Sequence, residues 1–131
     1  SWNLYKIRNK LPKPNILLHN TRIPCDFPIY WAAKSLNATY ITETWDLWPY
    51  CFATSGLLRE DSLLMKLFYK IERAIYSRAV RNIFIIAGCK QYLKDHKWDK
   101  EQGGPIDLKH VYYINNGIDL DDLRFGSADG P

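Results

Sequence analysis

Residues 61–87, DSLLMKLFYKIERAIYSRAVRNIFIIA, place a long amphipathic helix directly before an apolar strand. Either Asp61 or Ser62 can cap the start of this helix, because both side chains carry an oxygen that accepts a hydrogen bond from a free backbone N–H. Apolar residues recur at helical spacing, at Leu64, Leu67, Phe68, Ile71, Ile75 and Ala79. The opposite face carries Lys66, Lys70, Arg73 and Ser77. The isoleucine-rich run 82–87 predicts the following strand, so the stretch is typical of a βαβ unit.

The same alternation of strands and helices extends in both directions from this stretch. Further strands are predicted over 15–19, 39–44 and 110–114, and further helices over 29–36 and 91–97. The strand at 15–19, NILLH, is apolar enough to be buried on both faces. This pattern predicts an α/β fold, with a parallel sheet of about four strands and helices on both faces. The loops 20–28, 45–61 and 115–122 then line the carboxyl edge, where open α/β sheets bind ligands.

Length and composition limit the classes of protein to which this chain belongs. The 131 residues have the length of one domain, and 47% hydrophobic residues supply enough apolar material for a core. The formal charge of +4 is spread along the chain without a nucleic-acid motif, so no nucleic-acid partner is predicted. Three cysteines without a CxxC pair predict reduced thiols in a cytosol rather than a disulfide framework or a metal site. No stretch approaches the roughly 18 to 20 apolar residues of a membrane span, which predicts a soluble or peripheral protein.

Four motifs in order give the chain a resemblance to a known family. They are ETWDLWP after the strand at 39–44, KIERAIYSRA in the long helix, NIFIIAG, and YINNGIDLDDLRF. Their succession resembles the latter part of the N-terminal domain of retaining glycosyltransferases of the family-four class, and most closely the members that build bacterial surface polysaccharides. The resemblance covers about residues 12 to 125.

The resemblance implies a GT-B fold, in which two Rossmann-like domains face each other across a cleft. The N-terminal domain takes the acceptor, the C-terminal domain takes the nucleotide-sugar, and no metal or other cofactor is required. Residues 1–125 are then part of the acceptor-side domain, and 126–131 form a frayed or linker-like tail. The opening strand with its glycine-rich loop and the donor domain are not found in these residues, so we expect the chain alone to be incomplete and inactive.

Asp46 is the first candidate for a catalytic residue. It follows a strand at the carboxyl edge, where a carboxylate can accept a hydrogen bond from a sugar hydroxyl or orient an acceptor; alternatively, it caps the turn before Pro49. Trp45 and Trp48 bracket it and offer apolar surface for a sugar or lipid, or pack in the core. Many relatives have a basic residue or histidine where Trp45 stands.

His19 and Asn20 end the first predicted strand, where members of the family line the acceptor pocket. His19 is a candidate base, and the alternative is a packed, hydrogen-bonded histidine. Asn116, Gly117 and Asp119 match the family's signature beside the interdomain cleft, and we expect Gly117 to adopt a positive φ.

Within the long helix, Glu72 and Arg73 also match a pair of the family, and we interpret them as an internal ion pair.

The function implied by the resemblance is transfer of a hexosyl unit, with retention, from a nucleotide-sugar to a surface-glycan or lipid-linked acceptor. The alternatives are a non-catalytic module that pairs with another chain, and another GT-B-shaped enzyme such as a nucleotide-sugar epimerase. The protein is expected in the cytoplasm. The apolar loop after Asp46 and the basic helix face are a candidate surface for a membrane partner, and the favoured alternative is a solvated helix face. The first strand also predicts self-association through an open sheet edge.

Overall fold

The computed structural model describes residues 2–10, 12–22 and 26–117, which form a four-stranded parallel sheet with helices. The strands are β1 (Ile16–Asn20), β2 (Thr39–Thr44), β3 (Arg81–Phe84) and β4 (Val111–Tyr113). The α-helices are α1 (Trp2–Ile7), α2 (Phe27–Ser35), α3 (Trp48–Thr54), α4 (Leu63–Arg78) and α5 (Cys89–Asp95). Short 3₁₀ helices lie at Arg8–Lys10, Lys100–Gln102 and Leu108–His110. The α/β class and the parallel four-stranded sheet are confirmed, and they are consistent with part of a Rossmann-like fold.

Helix α4 is capped by Ser62, whose Oγ accepts a hydrogen bond of 3.2 Å from the backbone N–H of Met65. The face that α4 buries matches the predicted stripe only in part: Ile75 is buried and Ile71 packs against the core as predicted. Leu64 and Leu67 are about half exposed, whereas the fully buried residues are Met65, Glu72, Ile75 and Tyr76. The predicted stripe is displaced because the buried face includes a glutamate, which a purely apolar pattern leaves out.

Two helices lie outside the sequence prediction. Helix α3 occupies part of the segment 45–61, predicted as a loop, and has Pro49 in its first turn, where the missing N–H costs nothing. Helix α1 precedes the first strand and packs against α2 through the rings of Trp2 and Trp31, whose centroids lie 6.4 Å apart.

The four strands follow one another in the sheet in chain order, β1-β2-β3-β4, and every neighbouring pair is parallel. Crossovers between parallel strands are almost always right-handed. When right-handed crossovers always step in the same direction across a sheet, they place all their helices on the same face. The sequential order therefore predicts a two-layer arrangement.

The packing shows this two-layer arrangement, and the prediction of helices on both faces is wrong for the described residues. The ring of Tyr30 in α2 meets Tyr40 of β2 at 5.5 Å, and Tyr76 in α4 meets Phe84 of β3 at 5.2 Å. Leu93 of α5 joins the same core cluster. These contacts all lie on one face of the sheet, which we call the helix-covered face.

The opposite side of the sheet, which we call the open face, carries the alternate residues of each strand. Its apolar members are Ile16, Leu18, Ile41, Ile83 and Tyr112. Ile16 is 58% exposed and Leu18 is 55% exposed, so the prediction that β1 is buried on both faces is also wrong. β1 forms an edge of the sheet, and no described strand pairs with its outer side.

Beyond α5, the chain turns back, so that the backbone N–H of Ile106 donates a hydrogen bond to the carbonyl oxygen of Trp98. Asp99 caps the 3₁₀ helix that begins at Lys100, and a short parallel bridge joins Asp99 to Ile106. Gly104 lies so close to Trp98 that a Cβ on this glycine would overlap the Trp98 backbone. Within the described part of the chain, no helix is long and apolar enough to cross a bilayer.

Candidate functional site

The carboxyl end of β1 opens onto a cleft of about 400 Å³. Its polar lining residues are His19, Asn20, Arg22 and Asp26. Its apolar walls come from α1, β1 and α2, through Leu4, Leu17, Leu18 and Ile29. The cleft thus lies at the edge of the sheet where the sequence predicted a ligand site.

His19 is buried beside this cleft, and both its ring nitrogens have partners. Nδ1 lies 2.9 Å from the hydroxyl of Tyr40, and Nε2 lies 3.2 Å from Oδ1 of Asp26. Burial and the charge of Asp26 raise the pKa of Tyr40 far above its usual range, so this phenol stays protonated. The environment is that of the packed, hydrogen-bonded histidine considered as the alternative to a base, since no ring nitrogen is left to take a proton from a ligand.

Asp26 is a residue of this cleft that the sequence analysis missed. It is fully buried, at the N-cap position of α2, and its Oδ1 accepts a 2.8 Å bond from the backbone N–H of Arg22. Its other oxygen, Oδ2, is buried without a hydrogen-bond partner among the described residues. The available signal was its position directly before Phe27-Pro28, since aspartate before a proline in the first turn marks a helix start.

Asn20 lines the same cleft with a second unpartnered group. Its Nδ2 is buried and has no partner within the described residues. Among the residues that line the cleft, Asp26 therefore carries a buried acceptor, Oδ2, and Asn20 a buried donor, Nδ2, for which the described residues supply no partner. Buried polar groups without partners are rare in folded proteins, and a hydroxyl or a water, which both donates and accepts, can pair with a group of either kind.

Trp45 and Asp46 follow β2, the strand next to β1, and both side chains are exposed. Burial and, after it, the charge of Asp46 raise the pKa of the Cys51 thiol in α3. Trp48 begins α3, and its ring packs on that of Phe52 at 6.0 Å. The two indoles therefore have different surroundings: Trp48 belongs to the packing of α3, and Trp45 remains half exposed at the edge.

Asn116 and Gly117 follow β4 and are exposed, while Asp119 lies outside the described residues. Since β1 and β4 are the two outer strands, three strand spacings of about 4.8 Å separate their ends, or about 14 Å. The described structure thus does not bring Asn116 and Gly117 together with His19. The expectation of a positive φ at Gly117 is wrong: its φ lies outside that region, and a Cβ there would meet nothing within 4 Å.

A buried polar network underlies the carboxyl ends of β1 and β2. Thr21 and Thr44 share a hydrogen bond of 3.1 Å, and the Thr44 hydroxyl donates to that of Tyr76 at 3.3 Å. Tyr76 in turn donates to Glu72 Oε1 at 2.9 Å, and Tyr92 donates to Glu72 Oε2 at 2.6 Å. The chain of bonds joins the strand ends to α4 and α5.

The predicted ion pair of Glu72 with Arg73 is wrong, because adjacent residues of a helix point in different directions. Arg73 is exposed, while Glu72 faces the core. Burial raises the pKa of Glu72 to about 7, although the two phenols that donate to it act in the opposite direction.

In the described ranges, no three His, Cys, Asp or Glu side chains converge as a metal site would need. Comparisons with protein-family models, with characterised proteins and with solved structures gave no match to this chain.

Proposed function

We propose that this chain forms part of the acceptor-binding side of a retaining glycosyltransferase of GT-B architecture. In this proposal the whole enzyme transfers a hexosyl unit from a nucleotide-sugar to a surface-glycan or lipid-linked acceptor. A separate donor domain supplies the nucleotide-sugar site, so the chain alone binds acceptor without catalysing transfer. The proposal rests on the order of the sequence motifs and on the cleft at the end of β1.

The observation that supports it best is the unsatisfied pair in this cleft. Asp26 Oδ2 can accept and Asn20 Nδ2 can donate, and leucine and isoleucine side chains line the same cleft. Sugars present hydroxyls, which donate and accept, next to apolar C–H faces. A hexose acceptor therefore suits the cleft in both respects.

The proposed roles follow from these positions. Asp26 and Asn20 hold an acceptor hydroxyl, and His19 fixes the orientation of Asp26 through its Nε2. Asp46 and the half-exposed Trp45 form the neighbouring wall at the end of β2. In a retaining transfer the leaving phosphate of the donor can take the proton of the attacking hydroxyl, so a buried His19 is compatible with the reaction.

NMR titration of the isotope-labelled chain tests this function. Methyl hexosides should shift the backbone amides of Asn20, Thr21 and Arg22, and a nucleotide diphosphate should leave them unchanged. Asn20→Ala removes one hydrogen bond and should weaken hexoside binding roughly fivefold. Asn9→Ala is the matched control, because Asn9 is exposed and does not line the cleft. Absence of hexoside shifts at these amides, or equal effects of the two substitutions, would refute the assignment.

The open face of the sheet favours a second candidate function, a non-catalytic module that pairs with another polypeptide. Parallel sheets are normally covered on both faces, and Ile16 and Leu18 are more than half exposed. Neither candidate lets the chain alone transfer sugar, so the hexoside titration distinguishes them: a non-catalytic module predicts no hexoside shifts at the amides of the cleft.

A further inference from the structure

The outer face of α4 carries leucines and basic residues side by side. We call the residues Leu63, Lys66, Leu67, Lys70 and Arg73 the α4 outer face. They lie on the side of the helix opposite the buried residues Met65, Glu72, Ile75 and Tyr76, since positions three and four apart share a face.

The leucines of this face contribute little to the core. Leu63 is 85% exposed and Leu67 is 51% exposed, and Leu57 in the connection before α4 is 72% exposed. With Lys66, these two α4 leucines border a cleft of about 410 Å³ between α4 and the rings of His96 and Trp98. Exposed apolar side chains clustered in this way mark a surface that another phase or molecule covers.

The charge of the same face is positive. Helix α4 contains four cations, Lys66, Lys70, Arg73 and Arg78, and its one acid, Glu72, is buried. The ion pairs found among the described residues do not include Lys66, Lys70 or Arg73. The nearest acids in the chain precede the helix: Asp61 is paired with Arg59 at 2.9 Å, and Glu60 is exposed.

We propose that the α4 outer face docks on an anionic lipid bilayer. Leu63 and Leu67 enter the boundary between headgroups and acyl chains, and Lys66, Lys70 and Arg73 contact the lipid phosphates. The exposed leucines beside the cations favour a bilayer over nucleic acid, because a bilayer offers hydrocarbon and negative charge over one continuous surface. This inference is independent of the proposed glycosyltransferase function.

Docking in this way also orients the candidate site. Helix α4 follows the carboxyl end of β2 and ends just before β3, so its leucine-bearing first turns lie towards the carboxyl edge of the sheet. The bilayer would therefore approach the edge that carries the cleft.

Flotation with lipid vesicles tests the proposal with the full 131-residue chain. We expect binding to phosphatidylcholine vesicles that contain about a third phosphatidylglycerol, weaker binding at high salt, and little binding to phosphatidylcholine alone. Lys66→Gln with Lys70→Gln should weaken binding to the anionic vesicles about 25-fold, at about fivefold for each lysine. The matched control is Lys34→Gln with Lys109→Gln, which removes the same charge from exposed positions just before β2 and β4, towards the opposite edge of the sheet, and should change binding less than twofold.

Leu63→Ser with Leu67→Ser tests the apolar part, and it too should weaken binding to anionic vesicles. All four positions on α4 are exposed, and thermal unfolding followed by circular dichroism checks that each variant stays folded. Three results would overturn the proposal: no binding of the folded chain to anionic vesicles, equal losses in the two lysine pairs, or unchanged binding of the leucine variant. The last result would mean that charge alone suffices, so that any polyanion would serve.

Discussion

Glu72→Gln should make the protein more stable at neutral and alkaline pH. The Glu72 carboxyl is buried and accepts hydrogen bonds from Tyr76 and Tyr92, with no cation among its described partners. Its ionised form is therefore poorly solvated. A glutamine keeps the shape and can retain both bonds, because its carbonyl accepts from Tyr76 and its amide donates to the oxygen of Tyr92.

The magnitude follows from the rise of the Glu72 pKa from 4.5 to about 7, which is caused mainly by burial. At about 1.4 kcal/mol for each pH unit, the rise corresponds to about 3 kcal/mol. Since the folded state holds the Glu72 proton more tightly than the unfolded chain does, this stabilisation is fully present below pH 4.5. It is lost as the pH rises through about 7.

Urea unfolding of the wild type and of Glu72→Gln between pH 4 and pH 8 measures the contribution of Glu72. It is the difference between the two free energies of unfolding at each pH. The two free energies of unfolding should nearly coincide at pH 4, and the variant should exceed the wild type by about 3 kcal/mol at pH 8. Glu101→Gln is the control, because Glu101 is exposed beside Lys94 and should change the free energy by no more than about 0.5 kcal/mol at any pH. Parallel profiles for wild type and Glu72→Gln would refute the reasoning, as would a variant that is less stable at every pH.

Three further predictions concern packing and the open face. Gly104→Ala should lower the free energy of unfolding by about 1–3 kcal/mol, because the new Cβ overlaps the Trp98 backbone. An unchanged midpoint of the urea unfolding transition would contradict this close approach. Leu93→Ala, at a fully buried position, should cost about 2–5 kcal/mol, and Leu18→Ala on the open face only about 0.5 kcal/mol, so similar costs would show that the open face is covered. The wild type should self-associate with rising concentration in analytical ultracentrifugation, and Leu18→Lys should reduce this; a wild type that stays monomeric throughout contradicts the open edge.

The sequence predicted the elements of the sheet well, because each strand is a short run of apolar and β-branched residues between turn signals. The start of α4 at Ser62 also followed from local chemistry. Helix α3 was missed because Trp48-Pro49 looks like a loop when proline is interpreted as a breaker, although proline is accepted in a first turn.

The faces of the sheet could not be predicted from the same patterns. In β2 and β3 the isoleucines Ile41 and Ile83 point to the open face, and the polar residues Thr42, Thr44 and Asn82 point to the helices. Alternation alone assigns the isoleucines to the core. The polar residues are buried because they bond to one another and to α4, as in the 2.6 Å bond from Thr42 to Asn82, and such pairing across strands needs the register of the sheet.

The candidate site, too, could be predicted from the sequence only in part. The position of His19 and Asn20 at a strand end marks them in the sequence, but Asp26 acquires its importance only through contacts made across the fold. Glu72 was paired with Arg73 because they are neighbours in the chain, whereas its partners are Tyr76, one helical turn away, and Tyr92 on α5.

The order β1-β2-β3-β4 also bears on how the chain folds. Each strand pairs only with its immediate neighbours in chain order, so no pairing has to wait for a distant segment. The entropy cost of loop closure is then comparatively small at every step, and the sheet can grow one strand at a time during synthesis. Shortening the chain from its carboxyl end should remove β4 first and leave the pairing of the earlier strands in place.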